Sequence, residues 1–254
     1  WMNGDPKLGI IHPVLKTGGW LFAKSNDANL GIELPYPSII VTTQRGDSFP
    51  AYVPEGGKVS MAVIGYRKIW VKPNLQQPDR REGSWLQVAG IVKGLESKGV
   101  LALSCRVSAA AALWRKKLKP GAIQEFERYV LARAADKAKK RLPMYFFWFT
   151  TGAGERIQVG PKEGSKSWIT PPTLLIPKAL LTAEAPEEAR DEALDKLYVG
   201  DDIVELCENF WEQVQEWIGE WAPDEQGDEK QPAKTPEEEH GGTTLREYPG
   251  NGHD

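Results

Sequence analysis

An α+β fold, mostly an antiparallel β barrel or sandwich with a basic helical insert, an acidic C-terminal helical extension and a disordered tail, is what this sequence of 254 residues predicts. Three observations carry the prediction. Short runs of β-branched and aromatic residues, divided by Gly, Pro, Asn and Asp, fill the first 107 positions; helical apolar spacing replaces them at Ser108; and after Lys178 the charge reverses sign.

Strands are expected at Trp20–Ala23, Ser38–Thr43, Phe49–Val53, Val59–Lys72, Trp85–Leu95 and Val100–Val107. Turn chemistry places hairpin loops at Gln44–Ser48, Glu55–Gly57 and Glu96–Gly99, where Gly and short polar residues tolerate the tight backbone. Such spacing suits a sandwich or a small barrel, an OB-like (oligonucleotide/oligosaccharide-binding) barrel being one form it allows. A helical insert is expected at 108–142. Ser108–Leu118 is alanine-rich, Pro120-Gly121 interrupts, and Ala122–Leu142 carries Ile123, Phe126, Val130 and Ala134 at helical spacing until Pro143 ends it. Met144–Thr151 is apolar without alternation, the pattern of a strand buried on both faces, with Glu155–Val159 as its expected hairpin partner. Gly160–Thr173 reads as loop and Leu174–Ile176 as a final short strand.

Charge defines the larger organisation. Residues 1–178 hold 27 Lys and Arg against 13 Asp and Glu, and residues 179–254 hold 5 against 22, so a net charge of −3 conceals a basic part and an acidic part. The expected units are therefore a basic β-rich domain over 1–178, an acidic helical extension over 179–221 and a tail over 222–254. In the extension Pro186–Leu197 has good helix formers, and Asp202 followed three residues later by Glu205 resembles a capping box. The helix it opens, 202–221, sets Ile203, Leu206, Phe210, Val214, Trp217 and Trp221 on an apolar stripe, with Glu205, Glu208, Glu212, Glu216 and Glu220 at other positions. Between 222 and 254 only Leu245 and Tyr248 are sizeable apolar residues, among 3 basic and 9 acidic side chains. A segment of that composition buries too little surface to offset its chain entropy, which predicts disorder.

Several classes of protein are disfavoured. No apolar stretch exceeds the length of Met144–Phe149, far short of a membrane span, and no basic-then-apolar leader opens the chain, so a cytoplasmic location is expected. The opening Trp1-Met2 reads as the start of a fragment or as a residue added ahead of the chain. Cys105 and Cys207 lie far apart inside apolar patterns and are expected to be buried thiols rather than a disulfide or a metal site. Histidine occurs only at 12, 240 and 253, which leaves little for a Ser-His-Asp or Cys-His arrangement or a histidine metal site. No cofactor and no metal are expected. Gly160–Ser167 has a superficial likeness to a phosphate-binding loop, but three residues rather than four separate its glycines and Ser165 precedes Lys166. Arg45-Gly46-Asp47 reads as an ordinary turn. Pro78-Asp79 followed by Glu96 and Lys98 has the residue order of a restriction-type nuclease, in which carboxylates hold a metal and a lysine assists water; a metal-dependent nuclease is thus one alternative, although Glu96–Lys98 falls at an expected hairpin tip.

The more informative pattern is Tyr66-Arg67-Lys68-Ile69-Trp70-Val71-Lys72. In a strand, alternation puts Tyr66, Lys68, Trp70 and Lys72 on one face and Arg67, Ile69 and Val71 on the other. Rings interleaved with cationic groups suit a single nucleic-acid strand, bases stacking on the rings while the cations, Arg67 included, follow the phosphates. Arg80 and Arg81 lie nearby in sequence, and Arg115, Lys116, Lys117 and Lys119 head a stretch, 115–141, with 10 basic and 3 acidic residues. The same residues would also serve as an ordinary solvated surface. The expected function is non-specific binding of single-stranded nucleic acid, DNA in the first place, modulated by the acidic tail, without catalysis. A tethered polyanion competes for a cationic surface at high effective concentration and can recruit basic replication or recombination proteins. The alternative is a scaffold that docks its helix 202–221 on another protein through Phe210, Trp217 and Trp221.

In this layout, a basic β-rich part followed by an acidic tail, the chain is similar to the single-stranded-DNA-binding proteins of bacteria and phages, although it ends in Tyr248–Asp254 without their terminal apolar tip. Asp5-Pro6-Lys7-Leu8 and Tyr198-Val199-Gly200-Asp201 also resemble an uncharacterised family of proteins carried by bacterial mobile elements and plasmids, a likeness that spans most of 5–221 and implies no activity.

Overall fold

Val59–Val71 is rich in β-branched and aromatic residues and contains no proline, and it forms the longest strand of the computed structural model, which describes residues 1–4, 13–23, 34–42, 48–71, 83–116, 119–159, 167–182 and 184–220. Strands are numbered β1 (Phe22–Ala23), β2 (Ser38–Thr42), β3 (Ser48–Tyr52), β4 (Val59–Val71), β5 (Gly83–Val92), β6 (Val100–Arg106), β7 (Trp148–Ala153), β8 (Ile157–Val159), β9 (Ser167–Ile169) and β10 (Pro172–Leu174). The central sheet is antiparallel throughout, in the order β10-β7-β4-β5-β6. A smaller sheet has the order β1-β3-β2, and β8 pairs with β9 as a separate ribbon. Among the described residues these sheets stay open, without a closed barrel.

A one-residue irregularity in β4 sets the pattern of the sheet. The register with β5 slips between Val63 and Gly65, so that Val63 faces Gly90 and Gly65 faces Ala89. Before the slip, Val59, Met61 and Val63 belong to one face; after it, Tyr66 returns to that face, while Ile64 joins the other. Gly90 lies opposite the bulge, where a Cβ would stand 2.1 Å from the Ala62 carbonyl oxygen. β7 accompanies β4 only over Val59–Ala62, so the rest of β4 continues with β5 and β6 as an arm.

Helices cover both faces. Besides a short turn of helix at Pro13–Thr17, the helices are α1 (Val107–Trp114); α2, which runs through Ala122–Phe126, a π turn at Glu127–Leu131 and Ala132–Ala138; α3 (Lys178–Leu181); α4 (Glu187–Asp195); α5 (Asp201–Asn209); and α6 (Trp211–Gly219). On the first face Met61, Val63, Leu86, Val88, Leu103 and Cys105 pack with Leu113, Ile123, Phe126 and Val130 of α1 and α2, and with Ala193 and Leu194 of α4. On the second, Ala62, Ile64, Ala89 and Ile91 pack with Val204, Cys207 and Val214 of α5 and α6. Phe126 is wholly buried, with its ring edge-on to Phe149 at 5.3 Å between centroids. Residues 187–219 thus form part of both cores, and the change of charge at Lys178 does not coincide with a boundary in packing. Among the described residues no helix is long and apolar enough to cross a membrane.

Several sequence expectations change. Met144–Phe146 is a 3-10 turn, with the strand beginning at Trp148, because Pro143 fixes the entry and Trp148 N–H donates to the Leu197 carbonyl at 2.8 Å. The partners of that strand are β4 and β10, whereas Ile157–Val159 pairs with Ser167–Ile169 inside the stretch read as loop. Helix 202–221 is divided at Phe210 into α5 and α6. The expected capping box gives way to Gly200, whose positive φ of 95° begins α5, and the Asp201 carboxylate accepts the Tyr198 hydroxyl. The Glu55–Gly57 turn joins two different sheets and is no hairpin loop.

Two outcomes follow from this packing. Gly90→Ala sets a methyl group against backbone that cannot swing away, and is expected to cost about 1–3 kcal/mol in a urea titration with an unchanged slope. Burial pushes the thiols of Cys105 and Cys207 up to about 12, so both stay protonated, and a disulfide reagent at mildly alkaline pH should modify them only after denaturant is added.

Candidate nucleic-acid interface

The arm presents its residues by pairing. Tyr66 faces Val88 and Lys68 faces Leu86, which puts both on the first face; Tyr66 is half-buried against that core and Lys68 is exposed. Trp70 continues β4, paired with Ser84. Lys72, Arg80, Arg81, Lys117 and Trp221 lie outside the described residues, as does Asp79. Arg115-Lys116 and Lys119-Pro120 form a two-residue antiparallel pair, with Lys119 opposite Lys116.

Arg67 points to the second face and is engaged there. Its Nε donates to Gln87 Oε1 at 2.8 Å, Nη1 donates to the Trp217 carbonyl, and its guanidinium carbon stands 3.8 Å from the centroid of the Trp217 ring. Burial under the indole lowers the pKa of the guanidinium from its usual value, against the pull of the nearby Glu220 carboxylate. Gln87 in turn donates to Ser104 Oγ at 3.3 Å. Arg67 therefore joins the arm to α6, unlike the phosphate-facing role its sequence context suggested. Gly65 makes the approach close: a Cβ there would lie 2.6 Å from Ile218 Cδ1. Phe210 and Trp217, expected as anchors for another protein, pack against the second core of their own chain, because the apolar stripe of 202–221 is what covers that face.

The acidic extension also neutralises part of the basic insert. Arg133 on α2 donates to Asp191 Oδ1 at 2.6 Å and to Glu187 Oε1 at 3.1 Å on α4, and Lys137 donates to Asp195 Oδ1 at 2.9 Å. These contacts raise the pKa of Arg133, through hydrogen bonds to Asp191 and Glu187, and that of Lys137, through Asp195. Lys139, Lys140 and Arg141 follow α2, exposed and in no ion pair among the described residues; Lys139 closes the helix with a φ of 56°. A small pocket of about 50 Å³ lies between the arm and the segment that follows this run. Tyr66 and Pro143 share its wall with Gly65, Glu127, Leu131 and Trp211, and Arg141 is only two residues before Pro143. Two residues span about 7 Å at most. Burial raises the pKa of the Glu127 carboxyl at the start of the π turn.

Glu96 sits in a 3-10 turn, where Oε1 accepts the Gly94 N–H at 2.8 Å, and among the described residues no three His, Cys, Asp or Glu side chains gather as a metal site. Sequence reasoning missed Trp168. It stands 56% exposed on β9, with the Arg156 guanidinium carbon 5.4 Å from its ring centroid, in the tract that reads as loop. The signal was the run of strand-forming residues Trp168-Ile169-Thr170.

Compared with protein-family models, with curated proteins and with solved structures, the chain matches none. A double-mutant cycle between Arg67→Met and Trp217→Leu should return a coupling of about 0.5–2 kcal/mol in thermal or urea unfolding; additive losses would show that the stacked pair contributes nothing of its own.

Proposed function

We propose that the chain binds single-stranded nucleic acid, DNA in the first place, without sequence preference, through the arm of β4 and β5 and the basic run that follows α2. The observation that carries the reading is the pocket wall that Tyr66 shares with Pro143, which follows the exposed run Lys139, Lys140 and Arg141 by two residues. A ring flanked by cations on a firm sheet gives bases a stacking surface and phosphates a path, and neither interaction depends on sequence. The surface is that of an open sheet, and the reading requires no OB-like barrel. Trp70, Lys72, Arg80, Arg81, Arg115, Lys116, Lys117 and Lys119 extend the same basic stretches in the sequence. The acidic residues 222–254 follow α6, whose last turn lies against Arg67, and they compete for the arm as a tethered polyanion.

One observation favours the scaffold reading in a changed form. With the apolar stripe turned inward, α5 and α6 present exposed Glu205, Glu208, Glu212 and Glu216, a surface suited to a basic partner protein.

A salt-varied titration with single-stranded and duplex oligonucleotides tests the proposal. Neutralising about five phosphates gives a slope of log affinity against log salt of roughly −3.5 for a single strand. No binding at low salt would end the reading. Removing residues 222–254 should tighten binding, and an equal or weaker affinity would exclude competition by that segment.

A further inference from the structure

We infer that the ribbon of β8 and β9 is a second contact for single-stranded nucleic acid, with the Trp168 indole stacked on a base and the Arg156 guanidinium on an adjacent phosphate. The inference rests on the proposed binding activity and adds a site that the arm does not contain.

The ribbon holds Trp168 outward by construction. Ile157 pairs with Ile169 and Gln158 with Trp168, so alternation puts the two isoleucines on one face and Gln158 with Trp168 on the other. Ile169 is buried, as are Thr170 and Pro171 after it. The Thr170 carbonyl accepts the Trp1 indole N–H at 3.0 Å, and the Pro171 carbonyl accepts the Gly154 N–H at 2.9 Å. Turning Trp168 inward would pull Ile169 and Thr170 out of their contacts. A ring held in water by its backbone gains little for folding, yet it offers a stacking surface whose ordering cost on binding is already met.

Charge and size select the occupant. Arg156 is exposed, lies over the ring and takes part in no ion pair among the described residues. A stable protein interface needs roughly 1,000 Å² or more of buried surface, whereas a stacked base needs one ring. The polar neighbour Gln158 and the cation Arg156 around a single indole fit a base and its phosphate.

The test is fluorescence anisotropy with the full chain, using a thirty-nucleotide oligothymidine and an abasic strand of the same length, for the wild type, W168A, W168F and R156Q. W168A should weaken oligothymidine binding about tenfold and leave the abasic strand unaffected, while W168F keeps most of the affinity because it keeps a ring. R156Q should make the salt slope shallower by about 0.7. Circular dichroism and the melting temperature of W168A should match the wild type, since the ring is exposed. If W168A binds oligothymidine within about twofold of the wild type, or loses as much on the abasic strand, the ribbon is no stacking site and the arm stands alone. If the wild type binds neither strand, the ribbon contact and the proposed activity fall together.

Discussion

The slip of one residue between Val63 and Gly65 is the constraint on which the rest of the structure depends. Without it, the alternation begun by Val59, Met61 and Val63 would send Gly65 and Arg67 to the face that packs on α1 and α2. With it, Gly65 and Ile64 lie beneath α6, Arg67 reaches the Trp217 ring, and Tyr66 and Lys68 emerge on the opposite face. Gly90 makes the slip tolerable by leaving room for the displaced Ala62 carbonyl. The distribution of charge over the arm therefore follows from a local backbone irregularity and two glycines.

The second principle of the architecture is that oppositely charged parts of the chain are folded together. Helix α4 meets α2 through Arg133 and Lys137, and α6 meets β4 through Arg67. Exposed ion pairs such as that of Lys137 contribute little stability individually. Apolar burial beneath them contributes more, where Ala193 and Leu194 join the first core while Val204, Cys207 and Val214 close the second. The acidic helices act as a cover for the sheet, and what remains cationic is the surface they leave uncovered.

Much of this was legible in the sequence. The strand runs around Val59, Trp85 and Val100 appear where β-branched and aromatic residues put them, and the stripes Ile123, Phe126, Val130, Ala134 and Ile203, Leu206, Phe210, Val214, Trp217 turn inward because each of those helices buries one face, although Val204 and Cys207 lie deeper than the second stripe foretold. Periodicity does not identify the partner. The stripe of α5 and α6 looked free because its complement, Ala62, Ile64, Ala89 and Ile91, is a patch of a sheet assembled from distant strands. The role of Arg67 was hidden for the same reason: its position on the strand could be read, but the indole that covers it lies 150 residues away. β8 falls within the strand expected at Glu155–Val159, whereas β9 escaped notice since a three-residue strand is too short to establish a period, and Gly160, Pro161 and Gly164 argued for loop.

The break at Phe210 also has a mechanical meaning. Adjacent strands in a sheet rotate by roughly 20–25° relative to one another, so a straight rod can follow only part of a twisted surface before it departs from it. By ending α5 at Asn209 and restarting at Trp211, the chain lays one short segment over β4 and β5 near Ala62 and Ile91 and redirects the next along β4 toward Gly65 and Arg67. The cover is jointed like a hinged lath, and the joint gives each short segment its own stretch of the second face to close.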